Sequence, residues 1–156
     1  MLPKKSSEIT FEKLACSGKD FRLFSEIRAT TSFSELGTMH GAGMQEVQVG
    51  IEAFSLKLLK KLNKDVTPIQ NIEIMKNCEI LGIVNASNLI IHLPGSDEQD
   101  VAETMRNIDF VLPYRPLKTI KFWLGLGSPI YQHPKYPMLN YNPVGIFSHN
   151  FTHRST

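Results

Sequence analysis

The sequence has little cysteine, and what it has is badly placed for shared chemistry. Only two occur in 156 residues. Cys16 and Cys78 lie far apart on separate predicted helices, so no CxxC or CxxxCxxC spacing exists. Two buried free thiols are the expectation, ahead of a disulfide or a ligand pair. No apolar run is long enough to cross a bilayer, and the opening MLPKKSSEITF has no apolar segment behind its lysines. A cytoplasmic protein without membrane association is expected. Excess charge is also missing: the formal net charge is +2 and the lysines are spread over helix faces, which argues against a nucleic-acid partner. GLGSP at 125–129 lacks the Lys-Ser/Thr of a phosphate loop and the third glycine of a dinucleotide fingerprint, so it reads as a turn. His133, His149 and His153 share no metal-ligand spacing, and His40 sits near a helix end, where positive charge is favoured. No internal repeat, low-complexity segment or Ser-His-Asp spacing stands out.

What is present is the composition of an ordinary globular domain, 42% hydrophobic and 21% charged. The chain is organised around Glu46 to Asn63, EVQVGIEAFSLKLLKKLN. Val47, Val49 and Ile51 fall on one face of a predicted strand and Gln48, Gly50 and Glu52 on the other. Leu56, Leu59 and Leu62 then recur at helical spacing, with Lys57, Lys60 and Lys61 left for solvent. Before this unit, Ser6 or Ser7 caps a helix to about Ser17, with Phe11, Leu14 and Ala15 inward and Gly18 as its stop. FRLFSEIRA, Phe21 to Ala29, alternates as a strand whose second face carries Phe24, Glu26 and Arg28. Ser32 and Glu35 form a capping box for a short helix bearing Phe33, Leu36 and Met39.

After the organising unit, Thr67 and Pro68 open a helix with Ile69, Ile72, Met75 and Cys78 inward and Gly82 past its end. VNASNLIIHL, Val84 to Leu93, reads as one strand with Asn88, Ile90 and His92 on a common face. Ser96 and Gln99 suggest a second capping box, for a helix whose stripe is Val101, Met105, Ile108 and Leu112. LKTIKFWL, Leu117 to Leu124, is the last predicted strand, with Phe122 and Trp123 as core or as a substrate-facing wall. Residues 126–156, rich in proline and tyrosine, read as an irregular tail after a core of 1–125. Alternating helices and strands imply a parallel sheet, and polar residues at the carboxyl ends of its strands favour a partial (β/α) barrel over an open doubly wound sheet.

Four collinear segments carry a resemblance: FSEIRATT, VQVGIEAFSLKLLKKLNK, IQNIEIMKNCEILGI and SNLIIHLPGSDEQDVAET. They are similar to the middle and later βα units of radical S-adenosylmethionine (radical SAM) enzymes. The nearest pattern is that of the cobalamin-domain-containing enzymes that mature ribosomally made peptides (RiPPs), whose cores carry EIRAT, QVGIEALS, NLI-x-x-PGS and FWLGLGSP-like segments. The resemblance covers roughly residues 2 to 135. It implies the carboxyl part of a (β/α)₆ core in which a CxxxCxxC loop holds a [4Fe-4S] cluster that reduces bound S-adenosylmethionine. This sequence departs from the pattern in having no such loop and no cobalamin domain, so the expectation is a fragment inactive alone, needing a chain with the amino-terminal cluster-binding half. The alternative is a non-catalytic binding domain that keeps only the nucleoside site. Asp65 stands where relatives usually have Gly after NK.

The resemblance assigns the adenosyl ligand to Glu26, Arg28, Glu52, Asn88 and His92, and assigns no catalytic or metal-binding residue. Glu26 matches a strand-end carboxylate facing S-adenosylmethionine, with an ion pair to Arg28 as the alternative. Arg28 can fork onto a methionyl carboxylate. Glu52 matches the polar end of the next strand, or is a first-turn acid favoured by a helix dipole. Asn88 matches a ribose-contacting amide, or caps a loop. His92 precedes the LPG segment as a ligand or a satisfied core histidine. Relatives supply the remaining expectations: a peptide substrate, and S-adenosylmethionine bound weakly without the cluster. An unpaired sheet edge predicts self-association or a partner strand.

Overall fold

Strand pairing among the described residues is parallel throughout. The computed structural model describes residues 4–123, with side chains from residue 9 onward. Its elements are α1 (Lys4–Ala15), β1 (Leu23–Ile27), α2 (Phe33–Gly41), β2 (Met44–Val49), α3 (Leu56–Lys61), α4 (Pro68–Ile80), β3 (Val84–Asn85), β4 (Asn88–Ile91), α5 (Glu98–Ile108) and β5 (Lys118–Lys121). The helix–strand alternation expected from sequence is therefore present, in an α/β architecture of parallel strands in small sheets. The 126–156 tail, its histidines, the turn at 125–129 and the end of the last predicted strand lie outside the described residues.

One sheet has the order β1-β2-β3 and the other pairs β4 with β5. A parallel bridge between Glu52 and Leu89 joins them. The expected single strand from Val84 to Leu93 is thus two strands in two sheets. The break has a local cause. Ser87 Oγ accepts the Val49 N–H at 2.8 Å, so a side chain takes the place of a ladder carbonyl, while Ala86 N–H still reaches Val47 O at 2.9 Å. His92 falls beyond β4, exposed and with φ +58°, and does not share a strand face with Asn88 and Ile90.

The sheet has a covered face and an open one. Ser25 is in register with Val47, Ile27 with Val49, and Val47 with Asn85; apart from half-buried Ser25 these residues are buried. Phe24 and Glu26, pointing the other way, are exposed. A register shift opposite Leu23 and Phe24 puts one extra residue into β2, and that lets Met44 and Val47 both turn inward despite their odd spacing. These strand residues pack with Leu36 of α2 and with Ile74, Met75 and Cys78 of α4. Each such burial is worth roughly 1.5–3 kcal/mol. A second cluster of Ala53, Leu58, Leu59 and Leu93 lies beside Ile90 and Phe122.

The capping box Ser32–Glu35 forms as read, and Thr67 caps α4 with Pro68 in its first turn, also as read, while Gln70 completes a second box there that was not. At Gly43, φ is +98° and a Cβ would collide with the Phe21 carbonyl, so glycine is required there. Asp65 needs no such freedom, because the left-handed residue of that turn is Asn63, φ +54°.

Several inward faces are rotated from expectation. In α3 the buried leucines are Leu58 and Leu59, and Leu56 is exposed. In α4 Met75 and Cys78 are buried as read and Ile72 packs against the core, but Ile69 is exposed and Pro68, Asn71 and Ile74 complete the buried face. In α5 most of the expected stripe faces outward: Val101 and Met105, with Leu112 past the helix end, are exposed, while Ile108 packs against the core and Asp100 is 1% exposed. The cap of α5 is Asp97 with Asp100, and Ser96 instead donates to Leu93 O. Ala15, Cys16 and Trp123 are exposed as well, against the inward or buried placements read for the first two and the core or wall read for Trp123, and Phe33 of α2 is exposed too. Among the described residues no helix is long and apolar enough to cross a membrane.

Candidate functional site

In parallel α/β folds ligands bind beyond the carboxyl ends of the strands, and here the turn leaving β2 is the most heavily braced part of the chain. Ile51 N–H donates to Val49 O at 2.8 Å and Ala53 N–H to Ile51 O at 2.7 Å, two tight reversals in succession. Asn71, fully buried on α4, donates its amide to both Ile51 O (3.1 Å) and Ala53 O (3.0 Å). Asn107 of α5 donates to Phe54 O at 2.7 Å, and the Leu56 N–H reaches Glu103 Oε1 at 3.2 Å. Ser55 caps α3, accepting from Leu58 N–H, and donates its hydroxyl to buried Asp100 at 2.8 Å.

Charge is concentrated alongside this turn. Asp100 also accepts from Lys61 at 3.4 Å, and Lys57 pairs with Asp97. The hydrogen bond from Lys57, helped by the Asp100 N–H, holds the Asp97 carboxyl down at about 2. The same bond raises the Lys57 ammonium above its usual value.

Glu52 sits at the centre of this arrangement. Its φ of +61° is left-handed, a conformation that is costly for a side chain bearing a Cβ and that concentrates at functional sites. Two hydrogen bonds pin it there: its N–H donates to Asn88 O at 3.1 Å and its carbonyl accepts from Ile90 N–H at 2.8 Å. Glu52 has therefore left the β2 pleat and does not continue the alternation of Gln48 and Gly50. Its carboxylate lies 3.5 Å from Lys64 Nζ.

Glu52, past the carboxyl end of β2, and Asn88, at the amino end of β4 rather than at a strand's carboxyl end, are thus brought together by peptide hydrogen bonds. Asn88 is half-buried, and its side chain makes no hydrogen bond among the described residues. Glu26 is exposed on β1, in register with Gln48. Arg28 follows β1, exposed, and its carbonyl accepts from Thr31 N–H. Among the described residues no ion pair joins Glu26 to Arg28, and no hydrogen bond or ion pair links Glu26, Arg28 or His92 to Glu52 or Asn88. Reading the sequence missed Lys64, Asn71, Ser87 and Asp100. Lys64 had one visible signal, a lysine just after the helix that follows Gly50 and Glu52.

The described residues do not fit a [4Fe-4S] cluster, whose irons take several thiolates. Cys16 is exposed beyond α1 and Cys78 is buried in the core. Burial, with the nearby Glu79 charge, pushes the Cys78 thiol up to about 11, away from the thiolate form. Among the described residues no three histidine, cysteine or acidic side chains are grouped to hold a metal ion.

No family model and no curated protein matches the chain. Solved structures do. TsrM from Kitasatospora setae, a radical S-adenosylmethionine methyltransferase with cobalamin and a [4Fe-4S] cluster bound, is similar at TM-score 0.68 and 14% identity, over 82% of this chain and 25% of that one. The fold is similar to part of that enzyme's. OxsB, a cobalamin-dependent S-adenosylmethionine radical enzyme with aqua-cobalamin and S-adenosylmethionine bound, is similar at TM-score 0.57 and 21% identity, over 81% of this chain and 18% of that one. Archaeal Elp3 from Methanocaldococcus infernus gives TM-score 0.58 and 19% identity, over 82% and 30%. This chain spans less than a third of the length of each of these structures. At such identities the likeness is one of fold.

Proposed function

We propose that this chain is the adenosyl-binding part of a radical SAM enzyme core that acts on a peptide, as in RiPP maturation. The carrying observation is the juxtaposition of Glu52, just past the carboxyl end of β2, with Asn88, the first residue of β4, within a fold shared with cobalamin-dependent radical SAM enzymes. The Asn88 amide both donates and accepts, which suits ribose hydroxyls, and the Glu52 carboxylate suits an ammonium. Glu26, Arg28 and His92 belong to the same reading as outer contributors from neighbouring strand ends. When bound and reduced by a cluster, S-adenosylmethionine supplies radical chemistry. This chain's residues hold and orient it, and the cluster rests on cysteines outside this sequence, carried by a cluster-binding half. The placement of Cys16 and Cys78 favours a second reading, a domain that binds the nucleoside without redox chemistry. Two free thiols support a cytoplasmic setting for either.

Calorimetric titration with S-adenosylmethionine tests the site. Asn88→Ala is expected to weaken binding by about tenfold, the value of one hydrogen bond to a polar ligand. Equal heats for wild type and variant, or none in either, overturn the assignment. Anaerobic co-expression with a cluster-binding half, followed by detection of 5′-deoxyadenosine, separates the enzyme from the binding domain.

A further inference from the structure

Asp20, Arg22, Phe24, Glu26 and Arg28, every second residue through β1, are all exposed, Phe24 by 57%. β1 is the outer strand of its sheet, so among the described residues one of its edges has no neighbour. The peptide groups along that edge can be named. Leu23 N–H donates to Gly43 O at 2.9 Å, so the odd residues of β1 turn their backbone groups to β2, and Phe24 and Glu26 turn theirs outward. Among the described residues none of the four charged side chains has an ion-pair partner. Open strand edges are ordinarily defended, often by lysine. β5, which ends the other sheet, carries exposed Lys118 and Lys121, whereas β1, LFSEI, carries no lysine.

We propose that β1 pairs antiparallel with β1 of a second copy of this chain, across a two-fold axis at Phe24. Such an axis makes the contact self-complementary, each residue meeting the same partner from both sides. The segment is built for that. Read backwards with the signs exchanged, its outward pattern of negative, positive, Phe, negative, positive is unchanged. With Phe24 opposite its own copy, Arg22 faces Glu26 and Asp20 faces Arg28, each pair occurring twice. The outward N–H and C=O of Phe24 are the groups that a hydrogen-bonded antiparallel pair exchanges. Charge also selects the register. An axis at Leu23 sets Asp20 against Glu26, and an axis at Ser25 sets Arg22 against Arg28, so both neighbouring registers oppose like charges.

Sedimentation equilibrium of the full chain gives the dimer dissociation constant, with circular dichroism to verify that each variant folds. Arg22→Glu and Glu26→Arg each place two like-charged pairs in the contact, and each weakens the dimer by about tenfold. Combining the two substitutions in one chain restores the wild-type affinity. Mixing the two single variants gives a heterodimer tighter than either homodimer. A folding defect or an interface elsewhere on the surface produces neither recovery. The proposal is overturned if the wild-type chain is monomeric at millimolar concentration, if the single reversals leave its dimer unchanged, or if the double reversal fails to restore it. Binding of a cluster-binding half in place of a second copy, lost in Arg22→Glu, overturns it as well and gives the edge to that chain. The adenosyl reading is judged separately, by the ligand titration of Asn88→Ala.

Discussion

Both α4 and α5 open with a capping box, Thr67–Gln70 and Asp97–Asp100, yet α4 turns Ile74, Met75 and Cys78 into the core while α5 turns in Asp100 and leaves Val101 and Met105 each 58% exposed. The difference follows from what each helix covers. α4 lies among the apolar residues of β1 and β2, where removing area from water decides the orientation. α5 meets the segment from Phe54 to Lys61, where a turning backbone and a helix start present unpaired peptide groups, a serine and lysines. Leaving those groups unpaired costs about 1–3 kcal/mol each, enough to outweigh one exposed valine or methionine. The only apolar residue on the buried face of α4 to be replaced by a polar one is Asn71, and it serves the same turn.

The comparison breaks most readily at Asp100. Asp100→Ala removes a buried carboxylate and strands the Ser55 hydroxyl, and the expected loss is about 3–5 kcal/mol in urea unfolding. A loss under about 1 kcal/mol would mean that α5 is not held by this carboxylate. On α4 the matching test is Met75→Ala, where cavity formation is expected to cost roughly 2–4 kcal/mol by the same measurement. Comparable losses from an apolar deletion on one helix and a polar deletion on the other would confirm that the two are anchored by different means.

The two regions should also diverge with pH. Asp97 ionises more readily folded than unfolded, so its contribution is present above the ordinary value of 3.8 and is lost as pH falls toward about 2. Cys78 behaves oppositely. Its thiol stays protonated in the fold while an unfolded chain would ionise near 9, so stability falls between about pH 9 and about 11. Thermal unfolding across pH should show Asp97→Asn flattening the acid limb and Cys78→Ala flattening the alkaline limb. The smallest effect belongs to the outward stripe: Val101→Ser and Met105→Ser should each change stability by no more than about 0.5 kcal/mol, and a larger loss would place that stripe against something.

Much of this was readable from the residues because the signals were local. Ser32 with Glu35 and Thr67 with Pro68 mark caps from neighbours within three residues, although the same spacing at Ser96 and Gln99 lost to Asp97; alternation along FRLFSEIRA sufficed for β1 because one face is covered and the other open. What failed depended on partners distant in sequence. The period of Val101, Met105 and Leu112 identifies a stripe but not which way it faces, and the Asp100 carboxylate decided that through Ser55, forty-five residues away. The end of β2 was misread for a similar reason. Nothing in GIEAF announces that Asn71 and Asn88 will draw Ile51 and Glu52 out of the pleat. The Lys64 contact to Glu52 needed the backbone of the intervening turn.

The bridge at Glu52 has a consequence for how the molecule opens. It is the meeting line of the two sheets, held by two peptide hydrogen bonds, and the residue that makes both is also strained by an amount on the order of 1–3 kcal/mol. Separation there releases that strain while leaving each sheet's own pairing intact, so it is the least expensive break available to the β-structure. Amide hydrogen exchange would then divide the strands into two cooperative groups, β1, β2 and β3 in one and β4 with β5 in the other. The Ile90 amide, which closes the bridge, would exchange ahead of Val49 and act as the reporter of whether the two groups are moving together or apart.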